Sequence, residues 1–251
     1  MKVALIGYGK MGRSVESVIE EYNSKGPEIP VEVALKIDLE NMDTFTPDSL
    51  QGIDVAIEFT NPESAVGNIK KCLDSGVAVV CGTTGWYQHV EEVKAYCQER
   101  NGTLLYTPNF SVGVNILFEL NEKLAAIMSS RTGYTVTITE LHHKEKLDAP
   151  SGTAINLAEQ IIQANPGISK WTLGKSDDET TISIMSVRET GVPGTHVIHY
   201  EADEDEITVI HKAHNRKGFA TGAFNAALWV KGRTGIFTMK DVLDLNAGSR
   251  F

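Results

Sequence analysis

Short apolar runs alternate with amphipathic segments over the first part of the chain. The runs lie at 3–6, 31–37, 54–59, 77–81 and 104–106, and the first of them carries no polar residue. Bare runs of this length are typical of strands buried on both faces of a parallel sheet. The segments between them have apolar residues at helical spacing, at 11–22, 62–75 and 87–100. Strands and helices in this order predict an α/β fold with a Rossmann-type, doubly wound parallel sheet.

The pattern changes in the second half of the chain. A long helix is predicted at 112–128, followed by an alternating strand at 134–140 and a helix at 154–163. Three strands joined by short turns are then expected at 181–190, 195–202 and 206–213, with a loop at 165–179. This order predicts a second, α+β domain with an open antiparallel or mixed sheet. The last segment, 218–245, has a helical pattern and is expected to pack back onto the first domain.

Composition excludes some functions and leaves others open. The net charge of −10 argues against a nucleic-acid partner, since a phosphate backbone requires clustered Lys and Arg. No apolar run approaches the length of about 18 residues that a membrane span needs, and no signal-peptide pattern precedes the first strand. The three cysteines have no disulfide or zinc spacing. A cytoplasmic protein without a membrane partner is therefore expected.

A glycine-rich loop connects the first predicted strand to the first predicted helix. It has the pattern G-x-G-x-x-G, in which the glycines allow a tight turn, close approach of a pyrophosphate, and close packing of helix on strand. The amides of the helix N-terminus would then face the phosphates. An ordinary glycine-rich turn is the alternative, but the strand–loop–helix context favours a nicotinamide dinucleotide site at Gly7, Tyr8, Gly9, Lys10, Met11 and Gly12.

Asp38 at the end of the next predicted strand indicates which dinucleotide is preferred. A carboxylate there would accept hydrogen bonds from the adenosine ribose hydroxyls and repel a 2′-phosphate, and Leu39 follows where an Arg would favour that phosphate. NADH is therefore the expected cofactor. Lys36 nearby could still tolerate the phosphate of NADPH.

The segment 140–154 gathers two histidines and two lysines ahead of a helix start. His142, His143, Lys144 and Lys146 precede Ser151, which can cap the helix, and the amides near Gly152 and Thr153 would then be open to a carboxylate. Cations and a helix N-terminus in one loop suit a small substrate with two carboxylates. The alternative is a solvated basic turn with a good helix cap.

This segment resembles the E-x-H-H-x-x-K-x-D-x-P-S-G-T-A signature of the dihydrodipicolinate reductase family, and it matches at every specified position. Further similar stretches, at 82–85, 109–115, 219–220 and 241–245, follow in the family's order along almost the whole chain. The resemblance implies reduction of 4-hydroxy-tetrahydrodipicolinate to tetrahydrodipicolinate by NAD(P)H in lysine and diaminopimelate biosynthesis. In that reaction water is lost, hydride adds at ring carbon 4, and a proton is required as an enamine forms.

The resemblance also implies a role for each matching residue. His142 would be the general acid or base, with Lys146 as its proton-donating partner. His143, Ser151, Gly152 and Thr153 would bind the substrate carboxylates. The nicotinamide half of the cofactor would lie along Gly82, Thr83, Thr84, Thr107, Pro108, Asn109 and Phe110.

The family's architecture implies how the chain is organised. Residues 1–109, completed by 216–251, would form the dinucleotide-binding domain, and 110–215 the domain that binds substrate and mediates a homotetramer. Hinge closure is expected where the chain crosses, near Phe110 and Arg216. Arg216 could face the substrate, or it could form a surface ion pair.

The sequence departs from the family's pattern at two places. The family's glycine loop commonly has one more residue, of the form G-x-x-G-R-M-G, and the stretch between Asp38 and Asp54 is short; both put cofactor preference in doubt.

Two rival functions are less consistent with the sequence. A sugar or inositol dehydrogenase would usually carry Glu-Lys-Pro where this chain has 81–84. A non-catalytic NAD sensor would be expected to lack His142 or Lys146. The remaining histidines have no reliable metal-ligand spacing, so no metal is expected.

Overall fold

The computed structural model describes residues 1–215 and 217–245, which form two compact units. Of these residues, the first unit comprises 1–112 together with 217–245, and the second comprises 113–215. The strands are β1 (Lys2–Ile6), β2 (Glu32–Ile37), β3 (Val55–Glu58), β4 (Ala78–Cys81), β5 (Thr103–Tyr106), β6 (Thr135–His142), β7 (Lys170–Leu173), β8 (Thr181–Arg188), β9 (Gly194–Glu201), β10 (Glu206–Ala213) and β11 (Gly235–Phe237). The helices are α1 (Lys10–Ser24), α2 (Pro62–Asp74), α3 (Val90–Glu99), α4 (Val112–Met128), α5 (Gly152–Ala164), α6 (Lys217–Val230) and α7 (Met239–Val242).

The first unit is built on a six-stranded parallel sheet in the order β11-β5-β4-β3-β1-β2. Both faces are buried, as the bare apolar runs predict: Val3 and Leu5 of β1 belong to one hydrophobic cluster, and Ala4 and Ile6 to another. The first cluster includes residues of α1 and α6, and the second includes residues of α2 and α3. The predicted doubly wound, Rossmann-type sheet is thus confirmed.

The last segment of the chain is only partly helical, so the prediction of a continuous helical stretch at 218–245 was wrong. Helix α6 ends at Val230, and β11 then pairs with β5 as an edge strand before α7 begins. Three residues, Gly-Ile-Phe, are too few to show an alternating pattern. Sequence reasoning therefore could not distinguish this strand from the helices on either side.

The second unit contains a five-stranded mixed sheet in the order β10-β9-β6-β8-β7. β9 pairs antiparallel with β6 and β10, whereas β8 pairs parallel with β6 and β7. The three late strands therefore do not form a simple meander, because β6 lies between β8 and β9. The connection from β8 to β9 crosses the end of β6, and the turn residues in the sequence do not predict this crossing.

A short strand lies inside the segment predicted as loop. Lys170–Leu173 forms β7 at the edge of the sheet, next to β8. It has four residues with no fully buried position, so its sequence carries almost no strand signal. The prediction of a loop throughout 165–179 was wrong for these four residues.

One face of the second sheet is covered by α5, and on the other face Met185 and Val187 of β8 are exposed. Val136 and Ile138 of β6 pack with Leu157 and Ile161 of α5 in the unit's hydrophobic cluster. Glu140 and His142 continue the same side of β6 towards its carboxyl end, because side chains alternate between faces. Among the described residues, no helix is long and apolar enough to cross a lipid bilayer.

Candidate functional site

The glycine loop of the first unit has the backbone geometry that a phosphate site needs. Gly7 has φ +95°, and a Cβ there would lie 1.9 Å from the carbonyl oxygen of Phe59. A Cβ on Gly12 would lie 2.6 Å from the carbonyl oxygen of Gly7, whereas one on Gly9 would meet nothing within 4 Å. The first and third glycines are therefore required by packing, and the second leaves open space above the loop.

The N-terminus of α1 is not capped by a side chain. Gly9 is the N-cap residue, and the first turn contains no acidic residue that could occupy the amides. A helix start of this kind presents N–H groups and a partial positive charge to an anion. The residues present thus fit the pyrophosphate of a dinucleotide.

Two cavities of the first unit adjoin this loop and share Gly7, Gly9, Phe59 and Thr60. One, of about 430 Å³, also contains Tyr8 and the residues that follow β2, including Asp38 and Leu39. The other, of about 310 Å³, is lined by residues that include Lys10, Met11, Gly82, Thr83 and Thr84. The predicted cofactor residues of the glycine loop and of the β2 and β4 ends are therefore brought together, with Gly12 packed beneath the loop.

The segment 107–110 does not line either cavity, although it lies at the same edge of the sheet. The backbone N–H of Thr107 donates to the carbonyl of Cys81, 3.3 Å away, which places the start of this segment beside Gly82. The Thr107 hydroxyl accepts from the Asn109 amide, and Phe110 is buried with its ring centroid 5.7 Å from that of Phe59. Thr107, Pro108, Asn109 and Phe110 thus follow β5 in a compact turn.

Asp38 and Lys36, at the end of β2, are each engaged by neighbouring residues. An Asp38 carboxylate oxygen accepts from the Glu40 amide at 2.9 Å. Lys36 forms an ion pair with Glu16 at 2.5 Å and lies 4.8 Å from the centre of the Tyr8 ring. Because Glu16 neutralises Lys36, that lysine is a weak partner for an added phosphate.

Sequence reasoning missed a buried carboxyl beneath the glycine loop. Glu58, at the end of β3, is fully buried and is contacted by the Thr60 hydroxyl and by the Cys81 thiol, whose sulfur lies 3.1 Å away. The Thr83 hydroxyl accepts from the Thr60 amide at 2.7 Å. This network ties the ends of β3 and β4 together where the cavities open.

In the second unit, His142 lies in a cluster of buried polar side chains. It is the last residue of β6 and is 8% exposed. Its Nε2 lies 3.6 Å from Oε2 of Glu140 and 3.4 Å from Nε2 of His196. Glu140 and His196 are directly opposite each other in the β6–β9 register, which explains why strands far apart in sequence form one cluster.

Glu140 is ionised although it is fully buried. Oε2 accepts from the Ser151 amide at 3.0 Å, and Oε1 accepts from the Ser186 hydroxyl at 2.8 Å and from Arg188 at 3.2 Å. Burial raises the pKa of this carboxyl, but the hydrogen bonds from His142, Ser151 and Ser186 outweigh burial and hold the pKa well below its ordinary value. The cluster therefore contains a fixed negative charge.

His196 is neutral in this cluster. Burial, followed by the proximity of His142, lowers the pKa of His196 to about 3. Its Nε2 lies 3.2 Å from Oγ of Ser151. Glu140, His142 and His196 offer atom types that also bind metals, within 4.8 Å of one another. Both carboxylate oxygens already accept hydrogen bonds, whereas Nδ1 of His196 is buried without a hydrogen-bond partner.

Arg188, at the end of β8, joins this cluster to the loop that carries Lys146. Its guanidinium donates to Glu140 and to the carbonyls of Lys146 at 3.2 Å and Asp148 at 2.6 Å. The Lys146 ammonium itself is 2.7 Å from both oxygens of Asp148. Neighbouring His143 is paired with Glu145 at 3.0 Å.

Helix α5 begins at this cluster. Ser151 is its N-cap, and its hydroxyl accepts from the Ala154 amide at 3.2 Å. Gly152 and Thr153 form the first turn, and a Cβ on Gly152 would meet nothing within 4 Å. The predicted helix start is confirmed, and its N-cap Ser151 lies beside His196, a buried neighbour of His142.

The structure thus brings His142, Ser151 and the α5 start together and connects Lys146 to them through Arg188. Glu140, His196 and Arg188 were not among the predicted site residues. Glu140 belongs to the signature segment but has no role implied by it. His196 is one of the histidines without metal-ligand spacing, and the sequence around Arg188 carries no motif. Arg216 lies outside the described residues.

Comparisons with known proteins show what this chain is similar to. Residues 1–110 match a family model described as "Dihydrodipicolinate reductase, N-terminus", and residues 113–243 match "Dihydrodipicolinate reductase, C-terminus". The chain is 44% identical over 243 residues to a 4-hydroxy-tetrahydrodipicolinate reductase of Christiangramia forsetii, covering 97% of this chain and 98% of the relative. It is 32% identical over 271 aligned positions to a protein of the same name from Neisseria meningitidis, covering 98% of each.

A solved structure shares the fold. A dihydrodipicolinate reductase from Paenisporosarcina, with dipicolinate bound, superposes with a TM-score of 0.76 at 23% identity, over 95% of this chain and 97% of that one. At this identity the match supports the architecture, with its parallel sheet and second mixed sheet.

Proposed function

This chain belongs to the dihydrodipicolinate reductase family, and we propose from that premise how its residues carry out the reaction. It is an oxidoreductase that reduces 4-hydroxy-tetrahydrodipicolinate to tetrahydrodipicolinate with a nicotinamide dinucleotide, a step of lysine and diaminopimelate biosynthesis. The observation that carries the site assignment is the cluster at the end of β6, where His142 and the α5 start meet.

We propose that the first unit holds the dinucleotide along the two cavities beside the glycine loop. The pyrophosphate would lie on Gly9 and the α1 amides, the adenosine ribose at Asp38, and the nicotinamide near Gly82, Thr83, Thr84 and the 107–110 segment. When bound, this cofactor supplies the hydride.

NADH is the proposed preferred cofactor, with NADPH tolerated less well. The Asp38 carboxylate would repel a 2′-phosphate, and Lys36 is already paired with Glu16. We therefore expect a lower KM for NADH than for NADPH. Equal or reversed KM values would contradict this preference and leave the reductase activity itself intact.

We propose that the second unit binds the cyclic dicarboxylate substrate. The Gly152 and Thr153 amides at the start of α5, together with Ser151 and His143, would bind carboxylate oxygens. The Lys146 ammonium would attract the same anion or the charge that develops on the ring during reduction. Asp148, which now pairs with Lys146, keeps the ammonium oriented.

His142 is the proposed proton donor. After hydride adds to the ring, negative charge develops toward the ring nitrogen, and a proton is required there. An imidazole can supply it near neutral pH, since protonated and neutral forms are both accessible to histidine. Lys146 is the proposed partner, which supplies or relays the proton and stabilises the developing charge.

A coupled assay tests the function directly. Dihydrodipicolinate synthase would generate the unstable substrate in place while NADH or NADPH consumption is followed by absorbance. We expect oxidation that depends on the synthase and on its substrates. If neither cofactor is consumed, a non-catalytic NAD-binding sensor becomes the better account.

We further propose a cytoplasmic homotetramer assembled through the open face of the second sheet. Met185 and Val187 of β8 and Ile210 of β10 share that face and are 44%, 42% and 62% exposed. Apolar side chains clustered on an uncovered sheet face favour burial against another copy of the chain.

A further inference from the structure

The cluster around His142 contains a carboxylate for which the proposed reaction has no assigned use. Glu140 lies two residues before His142 on the same face of β6, and its side chain is fully buried. An ionised carboxylate is costly to bury unless its surroundings stabilise it. Here the surroundings are the Ser151 amide, the Ser186 hydroxyl and the Arg188 guanidinium, which fix the carboxylate plane.

The two oxygens of that carboxylate face different groups. Oε1 accepts hydrogen bonds from the Ser186 hydroxyl and the Arg188 guanidinium. Oε2 accepts only one hydrogen bond from the backbone, at the Ser151 amide, and it also faces Nε2 of His142 at 3.6 Å. This oxygen is therefore the carboxylate atom that lies towards the imidazole.

The charge on Glu140 decides how the His142 ring is protonated. A lone pair on Nε2 would face the negative oxygen and be repelled, whereas an Nε2–H would be attracted to it. The other group near Nε2 is His196, which is neutral and so does not offset the carboxylate. Other charged or titratable groups near this pair include Arg188, held by the other oxygen, Lys146 with its partner Asp148, and His211.

The far edge of the ring packs beside a glycine. Gly194 lies beside it, and a Cβ there would come within 3.3 Å of Nδ1 and 3.0 Å of Cε1. Glycine at this position thus allows the ring to sit with Nε2 towards Glu140 and Nδ1 away from it.

We propose that Glu140 is the positioning residue of His142: it holds the Nε2–H of the imidazole, so that Nδ1 is the atom that exchanges the proton with the substrate. This inference rests on the proposed role of His142. Glu140 does not touch the substrate; it orients the ring and stabilises the imidazolium, as a buried carboxylate does for the histidine of a hydrolase triad.

The first test compares Glu140→Gln with wild type over a range of pH. Gln keeps the size of Glu and removes its charge, so the imidazolium loses its stabilisation. We expect kcat to fall about 10²-fold. The alkaline limb of the kcat/KM profile should move to lower pH by about one unit or more, because the protonated form is lost sooner. The KM for NADH should stay unchanged.

Two further variants separate positioning from folding. Glu159→Gln removes an exposed carboxylate from α5 and should leave the pH profile in place. Glu140→Asp retains the charge and should recover part of kcat, with the alkaline limb closer to that of wild type. A Glu140→Gln protein that is folded and shows an unmoved pH profile would overturn the proposal.

The second test needs only the wild-type protein and therefore decides the matter even if Glu140→Gln does not fold. Ring ¹⁵N NMR of histidine-labelled protein, with the His142 signals assigned by His142→Asn, reports which nitrogen of the neutral ring carries the proton. The proposal requires Nε2–H. A neutral His142 protonated on Nδ1 would refute it, whereas a wild-type protein inactive with both cofactors would instead count against the proposed function.

Discussion

At the residue scale, His142 is where the proposed chemistry is concentrated. Its ring is almost buried and faces a carboxylate oxygen on one edge. Such a side chain can hold a proton in a fixed direction, which a solvated histidine in a mobile loop cannot do.

Replacing His142 tests its role as proton donor. General acid catalysis typically contributes about 10²–10⁴-fold, so His142→Ala should lower kcat by that factor. The KM for NADH should not change, because the residues that hold the dinucleotide belong to the first unit. His143→Ala serves as the comparison, since loss of a carboxylate contact should raise the KM for substrate more than it lowers kcat. A His142→Ala enzyme with near wild-type kcat would remove this residue from the mechanism.

His196 makes a prediction about stability and pH. Its folded-state pKa of about 3 lies below the unfolded value of about 6.5, so the unfolded chain binds more protons between these values. The stabilisation is present above the unfolded pKa and is lost as the pH falls. By pH 5 the loss should be about 2 kcal/mol.

Urea unfolding at pH 7 and pH 5 measures this loss of stability. In His196→Gln the decline in unfolding free energy between the two pH values should be smaller than in wild type by about that amount. Glu140 does not interfere in this window, because its stabilisation is lost only below its ordinary carboxyl range. An equal decline in unfolding free energy between pH 7 and pH 5 in the two proteins would contradict a neutral, buried His196.

At the element scale, the start of α5 combines a structural and a functional role. The Ser151 hydroxyl caps the helix, and the amides of the same turn are the proposed carboxylate site. Ser151→Ala should therefore lower the unfolding free energy by about 1 kcal/mol and also raise the KM for substrate. Ser151→Thr retains the hydroxyl and should preserve both. A loss of stability in Ser151→Ala with no change in KM would show that the cap has no part in binding.

Elements with a strong periodic pattern could be predicted from the sequence, and those decided by long-range pairing could not. The bare run before Gly7 and the amphipathic 112–128 segment lie where they were expected, the latter from Val112 to Met128. Strand β11 is too short to carry a pattern, and β7 has no fully buried position; the pairing of both depends on neighbours distant in sequence.

The residues of the site likewise divide into those that the sequence predicts and those that it does not. Residues within one local motif, such as His142 and Ser151, were recognisable because the chemistry of the segment is unusual. Their partners His196 and Arg188 lie on β9 and β8, and only the sheet register brings them to Glu140 and His142 on β6. A buried polar residue in a strand shows no local signal for the residue opposite to it.

At the scale of the whole molecule, each unit carries one half of the proposed reaction. The parallel sheet of the first unit presents the glycine loop and the ends of β2 and β4 around adjoining cavities. The mixed sheet of the second unit presents His142 and the α5 start at the carboxyl end of β6. A dinucleotide-binding fold and a proposed substrate-binding sheet in one chain would together supply both partners of the hydride transfer.

The open face of the second sheet predicts assembly. Light scattering coupled to size exclusion should give a mass of about four chains for the wild type. Ile210→Glu places a charge on that face and should reduce the mass, because an unpaired carboxylate would be buried in the interface. Ile127→Glu, on the exposed side of α4, is the matched control and should leave the mass unchanged. A monomeric wild type would contradict the assembly.

The most direct test of the central claim follows the hydride itself. NADH deuterated at the transferring position of the nicotinamide would be mixed with the enzyme and the synthase-generated substrate, and the product examined by mass spectrometry and NMR. The account predicts that tetrahydrodipicolinate carries the deuterium at ring carbon 4. Formation of unlabelled product, or no consumption of the deuterated cofactor, would contradict it.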